Sequence, residues 1–380
     1  MNINDELFSD SIYADEESIW IISTGRNLLQ GIDRSTGKVV DGVFIPTNKK
    51  ALIPYRSFFK YGNCLYILPY SENTIKKYDI KNKTFSNITM NSDFVGEDGN
   101  CGVFGYSLLG TKAVMYSSRE SVCVFDMSTY KMNVLDLSSI RKKSGYKDPF
   151  SWIWNHSFVK GDEVWLIPQN YLCAVVIDLK EEIVNLINFE TDIPIDGTMD
   201  TPFLAKDNLY FSYRNSGNQK SELLKLNIET GHMTRIIEFE AFNYTSRASG
   251  YIGAYGNVLI FLPGMTDKAY VVDLDSGKYE LLPGIPAVSA ERLAREKFPR
   301  ELNYRTAFLT ENGHLLALHG WTGCLIDLDI KTKEFVEHDV VVEPSVDRVK
   351  MYLETGDNCI QEVKACGLDV FLNYIAYEQG

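Results

Sequence analysis

Three arginines, Arg56, Arg247 and Arg305, stand at one point of a repeated pattern, each close to the start of a short strand. Asn155, His156, Asp200 and Tyr304 stand at the corresponding point of other copies, with Trp154 just ahead of Asn155. If those strands lie side by side around one axis, the set lines a polar, partly cationic pocket. Guanidinium groups recognise carboxylate and phosphate through paired N–H donors. Such a pocket therefore suits a small anionic or hydroxylated ligand. The competing reading is that these side chains bond to one another and to water where strand ends meet a channel. The aromatic run from Lys147 to Trp154 divides in the same way: flat rings stack on sugars or bases, or they plug the channel.

Residues for covalent or metal chemistry show no comparable grouping. There is no GxSxG, no GxxxxGK[ST] and no GxGxxG opening a helix. The five histidines (156, 232, 314, 319 and 338) include no HxH or HxxxH pair. Hydrolysis of a sugar needs two facing carboxylates roughly 5–9.5 Å apart. Asp192, Asp196, Asp200 and Glu240 are available for that role, as are acids on almost any acidic chain. No catalytic residue, cofactor or metal ligand is expected.

The formal charge of −13 argues against nucleic acid, because the basic residues are scattered among a larger number of acids. The one basic knot, Arg141-Lys142-Lys143, reads as a solvated loop. The first residues carry acids where a signal peptide needs a basic start, and no apolar stretch approaches the ~18 residues of a membrane helix. The 7 cysteines form an odd set without CxxC spacing, and Cys123, Cys173 and Cys324 lie inside apolar runs. They read as buried reduced thiols, and the expected location is cytoplasmic.

The elements that must position the polar set form a repeat. Its unit is a short strand, a tight turn, a strongly apolar strand, a loop, a strand ending in Asp, and a turn into a fourth strand. The apolar strand recurs as SIWIIS at 18–23, CLYILP at 64–69, KAVMYS at 112–117, EVWLIP at 163–168, NLYFSY at 208–213, VLIFLP at 258–263 and HLLALH at 314–319. The Asp position recurs at Asp33, Asp79, Asp126, Asp178, Asn227, Asp273 and Asp329, a pitch of about 49 residues. Four strands and four connections need roughly that length. The apolar runs are continuous, which implies sheets covered on both faces.

Stacking such sheets in a circle covers both faces of each, so the expected fold is all-β: a seven-bladed β-propeller of four-stranded antiparallel blades. The blades fall at about 10–46, 55–90, 102–137, 155–189, 201–239, 249–284 and 304–342, within one domain spanning 1–342. The recurrent Asp accepts turn N–H groups, a role that Asn227 can also fill. Ser289 and Pro299 bracket a short helical insertion near 287–298. Residues 343–380 read as a C-terminal helical extension packed on the propeller.

The blade pattern resembles the kelch repeat. The residues that carry the resemblance are CLYILPY at 64–70 followed by Tyr78-Asp79 and Phe85, and VLIFLPG at 258–264 followed by Val272-Asp273 and Tyr279. Leu-Pro, Ile-Pro or Leu-Pro-Gly stands where the kelch glycine pair would be. The resemblance implies the blade architecture and carries no partner with it.

Turns between first and second strands, and those after the recurrent Asp, are tight and share one face of the ring. The long, variable connections share the other. Binding usually sits on long loops carried by a rigid scaffold. The sequence therefore reads as a non-catalytic propeller that binds a partner protein or a small polar or anionic ligand there, with no nucleic acid and no membrane. The alternative is a carbohydrate-active enzyme, hydrolase or lyase, with its site at the channel mouth.

Overall fold

The computed structural model describes residues 9–23, 27–47, 54–117, 121–140, 154–168, 173–181, 183–189, 198–214, 220–240, 250–263, 268–285, 304–319 and 324–339. The expected helix near 287–298, the C-terminal extension and Arg247 lie outside them.

Seven four-stranded antiparallel sheets are formed, each from four consecutive strands. Blade one comprises Ser9–Ala14, Ser18–Ser23, Leu28–Asp33 and Val39–Phe44. The first strands of the other six are Tyr55–Tyr61, Val103–Leu109, Trp154–Lys160, Thr198–Ala205, Gly250–Tyr255 and Tyr304–Leu309. Each first strand lies against those of both neighbouring blades, and Tyr304–Leu309 lies against Ser9–Ala14, so the ring closes. Among the described strands none is borrowed across that closure.

The apolar second strands explain why blades stack. Alternate residues of Cys64–Pro69 face opposite neighbours: Leu65 and Ile67 join the cluster shared with blade one, Tyr66 and Leu68 the cluster shared with blade three. Among the described residues one such cluster fills every seam between blades. Burying both faces at about 25 cal/mol per Å² makes each blade dependent on its neighbours.

The recurrent carboxylate does the turn work expected of it. Asp33 Oδ1 accepts Thr36 N–H at 2.8 Å, and Asp273 Oδ1 accepts Ser276 N–H at 2.7 Å. Asn227 Oδ1 accepts Thr230 N–H at 2.9 Å in the same geometry. Hydrogen bonds from Ser128, side chain and backbone, hold the Asp126 carboxyl down at about 2.

The turn-rich face also carries bonds between blades. Lys60 bonds Asp15 of blade one, Lys206 Nζ reaches Asp275 of blade six at 2.8 Å, and Lys333 bonds Glu280 of blade six. The seam between blades seven and one differs. Arg34 engages Asp327 through both Nε (2.7 Å) and Nη2 (3.1 Å), and its Nη1 donates to the Asp15 carbonyl at 3.0 Å. His314 Nδ1 lies 2.7 Å from the same Asp327 carboxylate. Behind this polar group Ile12, Ile19, Ile21 and Ile32 pack on Leu316, Leu318 and Leu325.

Candidate functional site

The long-loop ends of the inner strands share a local device. In blade two Tyr55 pairs with Pro69 and Ser57 with Leu68, so Arg56 is an extra residue in the ladder. The same one-residue shift makes Asp10 the extra residue in blade one and Phe104 in blade three. In blades four and seven the extra residues are Asn155 and Arg305. In blade five Thr201 and Pro202 stand opposite one residue of the second strand. Blade six runs Gly250–Tyr255 without a shift. A bulge bends its strand and re-aims a side chain, and bulges are frequent beside binding sites.

Three of the residues singled out in the sequence, Arg56, Asn155 and Arg305, thus occupy equivalent bulge positions. Trp154 and Tyr304 directly precede their bulges, and His156 directly follows one. Asp200 closes the regular pairing before the blade-five bulge. For Trp154, Asn155, His156, Asp200, Tyr304 and Arg305 the placement is that of the backbone. Of the four carboxylates available for sugar hydrolysis, Asp192 and Asp196 lie outside the described residues. Asp200 and Glu240 are likewise placed by backbone alone.

Around Arg56 the side chains are defined. Its guanidinium carbon lies 5.1 Å from the Phe104 ring centre and 5.8 Å from that of Tyr70. The two rings meet edge to face, with centroids 5.4 Å apart. Each cation–π contact is worth about 0.5–1 kcal/mol at a partly exposed site, enough to hold one orientation.

Tyr70 is fixed by its backbone. Its N–H donates to the Pro54 carbonyl at 2.8 Å, and its carbonyl accepts Gly102 N–H at 2.7 Å. Two residues on, Glu72 is 1% exposed and accepts Thr47 Oγ1 at 2.5 Å, while its carbonyl accepts Cys101 N–H at 3.1 Å. These bonds tie the entry strands of blades two and three to one loop. Burial, with the Glu72 carboxylate adding to it, pushes the Tyr55 phenol well above its ordinary value. Tyr55 therefore stays neutral and donates to the Pro46 carbonyl at 3.2 Å.

Sequence reasoning selected Arg56 but missed its two aromatic partners. Phe104 holds the same repeat position as Arg56, which is the signal that could have found it. Tyr70 directly follows the second strand and carries no such mark. Among the described residues no group of three or more His, Cys, Asp or Glu side chains is arranged to hold a metal ion.

The chain is a seven-bladed β-propeller. It is similar to part of PorZ, a bacterial surface component of the type-IX secretion system of Porphyromonas gingivalis. That likeness has a TM-score of 0.57 at 8% identity and covers 88% of this chain and 38% of that one. The tricorn protease gives a TM-score of 0.56 at 11% identity, over 92% of this chain and 36% of that one. U3-55K gives 0.55 at 12% identity, over 83% and 89%. The chain thus spans little more than a third of the PorZ and tricorn chains. At these identities the likeness is one of fold. No protein-family model matches the sequence, and neither does any curated protein.

Proposed function

We propose that this chain is a non-catalytic binding propeller that takes a small anionic ligand at the long-loop mouth of its channel. The observation that carries the reading is the alignment of Arg56, Asn155 and Arg305 on equivalent bulges of inner strands that ring one axis. Arg56 supports it further, because its guanidinium carbon lies over the Tyr70 and Phe104 rings, which hold a permanently charged donor group at the strand entry. Asn155 and Tyr304 would add neutral donors, and Arg247, Trp154, His156 and Asp200 would complete the lining. The kelch-like spacing of blades two and six supports a repeat ring of that type and implies no particular partner. Free thiols at Cys64, Cys101, Cys123 and Cys173 support a reducing, cytoplasmic setting.

Titration calorimetry at low salt with glucose 6-phosphate and with inorganic phosphate tests the reading. Saturable binding is expected, lost in the double variant Arg56→Ala, Arg305→Ala while the melting temperature holds. No heat from either probe, or undiminished binding by the double variant, removes the proposal.

A further inference from the structure

The seam that closes the ring carries a second site. We propose that the cleft between blades seven and one, on the tight-turn face, binds an alkylammonium group. The cleft has a volume of about 560 Å³, within the range of small-molecule sites. It lies across the ring from the bulge positions, between the turns at Glu16 and Ser35 of blade one and those at Asn312 and Thr332 of blade seven.

Charge selects the ligand's sign. The cleft is lined by Glu16, Glu334, Asp327 and Asp329, against the single guanidinium of Arg34. That guanidinium is already engaged by Asp327. Glu16 and Glu334 are exposed and stand in no ion pair among the described residues. An anion would meet uncompensated carboxylates, whereas an ammonium group would neutralise them. A bare metal ion is disfavoured by geometry, since the described donors form no group of three suited to one.

A buried group points to the same place. His338 is only 8% exposed, lines the cleft and has no hydrogen-bond partner among the described residues. An N–H donor arriving in the cleft would supply the partner that this imidazole lacks. Room for the ring comes from Gly37, whose φ is +67°. A Cβ added there would lie 2.9 Å from His338 Nδ1. Gln30 does not line the cleft, but on the face of blade one turned to the same seam it is fully buried, with neither amide atom bonded among the described residues. The seam thus holds more polar capacity than its own residues use. Phe335 and Val336 supply an apolar wall for the methylene chain.

The shared chemistry is a primary ammonium on an aliphatic chain, from either a free diamine or a lysine side chain. Proton NMR of the histidine C2–H resonances of the full chain tests the site. 1,4-Diaminobutane and N-acetyl-lysine methylamide are titrated separately. Saturable shifts of the His314 and His338 resonances, with His232 unmoved, are expected from at least one probe. Tighter binding of the diamine identifies a free polyamine, and tighter binding of the lysine derivative identifies a peptide; both sustain the site. The double variant Glu16→Gln, Glu334→Gln should bind about tenfold more weakly, the order expected for two rim charges. Arg56→Ala, Arg305→Ala should bind the probes as the parent does, which separates this site from the channel mouth. Shifts from neither probe, or unchanged affinity in the Glu variant, overturn it.

Discussion

Arg34 and Asp327, 293 residues apart in sequence, form a two-point ion pair across the seam where the first blade meets the last. Their side chains are 10% and 9% exposed, so removing one partner strands the other in a low-dielectric contact. Arg34→Ala should destabilise the chain by about 3 kcal/mol, the usual cost of breaking a buried pair. Lys180 and Asp162 also touch, but at 70% and 56% exposure. Lys180→Ala should therefore cost less than about 0.5 kcal/mol. Urea denaturation of the two variants checks the contrast, and equal losses would deny the seam its special weight.

The turn carboxylates set the acid limb of stability. Asp126 titrates at about 2 when folded, held down by its Ser128 bonds, against about 3.9 for an unfolded Asp. A depressed folded value contributes stability that is complete above about pH 4 and disappears as pH falls toward 2. Asp126→Asn keeps the acceptor, as Asn227 does naturally, and removes this titration. The variant should lose less stability than the parent between pH 4 and pH 2, read as a shallower fall in melting temperature over that window.

Buried thiols should be silent. Burial pushes the Cys123 and Cys173 thiols up to about 12, so almost no thiolate exists at neutral pH. Both should resist iodoacetamide in the native chain and react fully in urea, as peptide mass mapping will report. Cys64, only partly buried, should be alkylated first among the four described thiols.

Gly105 lies beneath the Tyr116 ring in blade three. A Cβ there would meet the Tyr116 phenol oxygen at 2.3 Å and ring carbons at 2.6 and 2.9 Å. Tyr116 is 4% exposed and packed into the seam with blade four, so it has little room to retreat. Gly105→Ala should cost about 1–3 kcal/mol by overpacking. Thermal melting measures it, and a neutral result would mean that Tyr116 swings out.

The ring was legible because its evidence repeats. An apolar strand recurs seven times, each time followed by a strand ending in Asp or, once, Asn227, and each copy imposes the same local physics. The bulges were harder to see, since a one-residue shift in pairing changes geometry without changing composition. Even so, Tyr55-Arg56-Ser57, Trp154-Asn155-His156 and Tyr304-Arg305-Thr306 share an aromatic–polar–polar order that marks them in retrospect. The seam cleft left no trace in the sequence. Asp327 reads there as an interruption of an apolar strand, and Arg34 as an ordinary turn residue. Their meaning depends on closure, which brings together blades that no local pattern connects.

Every blade is woven from its own four consecutive strands, including the pair that meets at the closure. Such a ring can be opened at any connection between blades without dividing a sheet. A chain reopened between any two blades, with the old ends joined by a linker of adequate length, would keep every sheet intact. By the same logic a gene encoding it could duplicate or delete one module without rewiring the remainder. The curvature shared among the blades, and the side-chain packing at the new seam, would need to readjust.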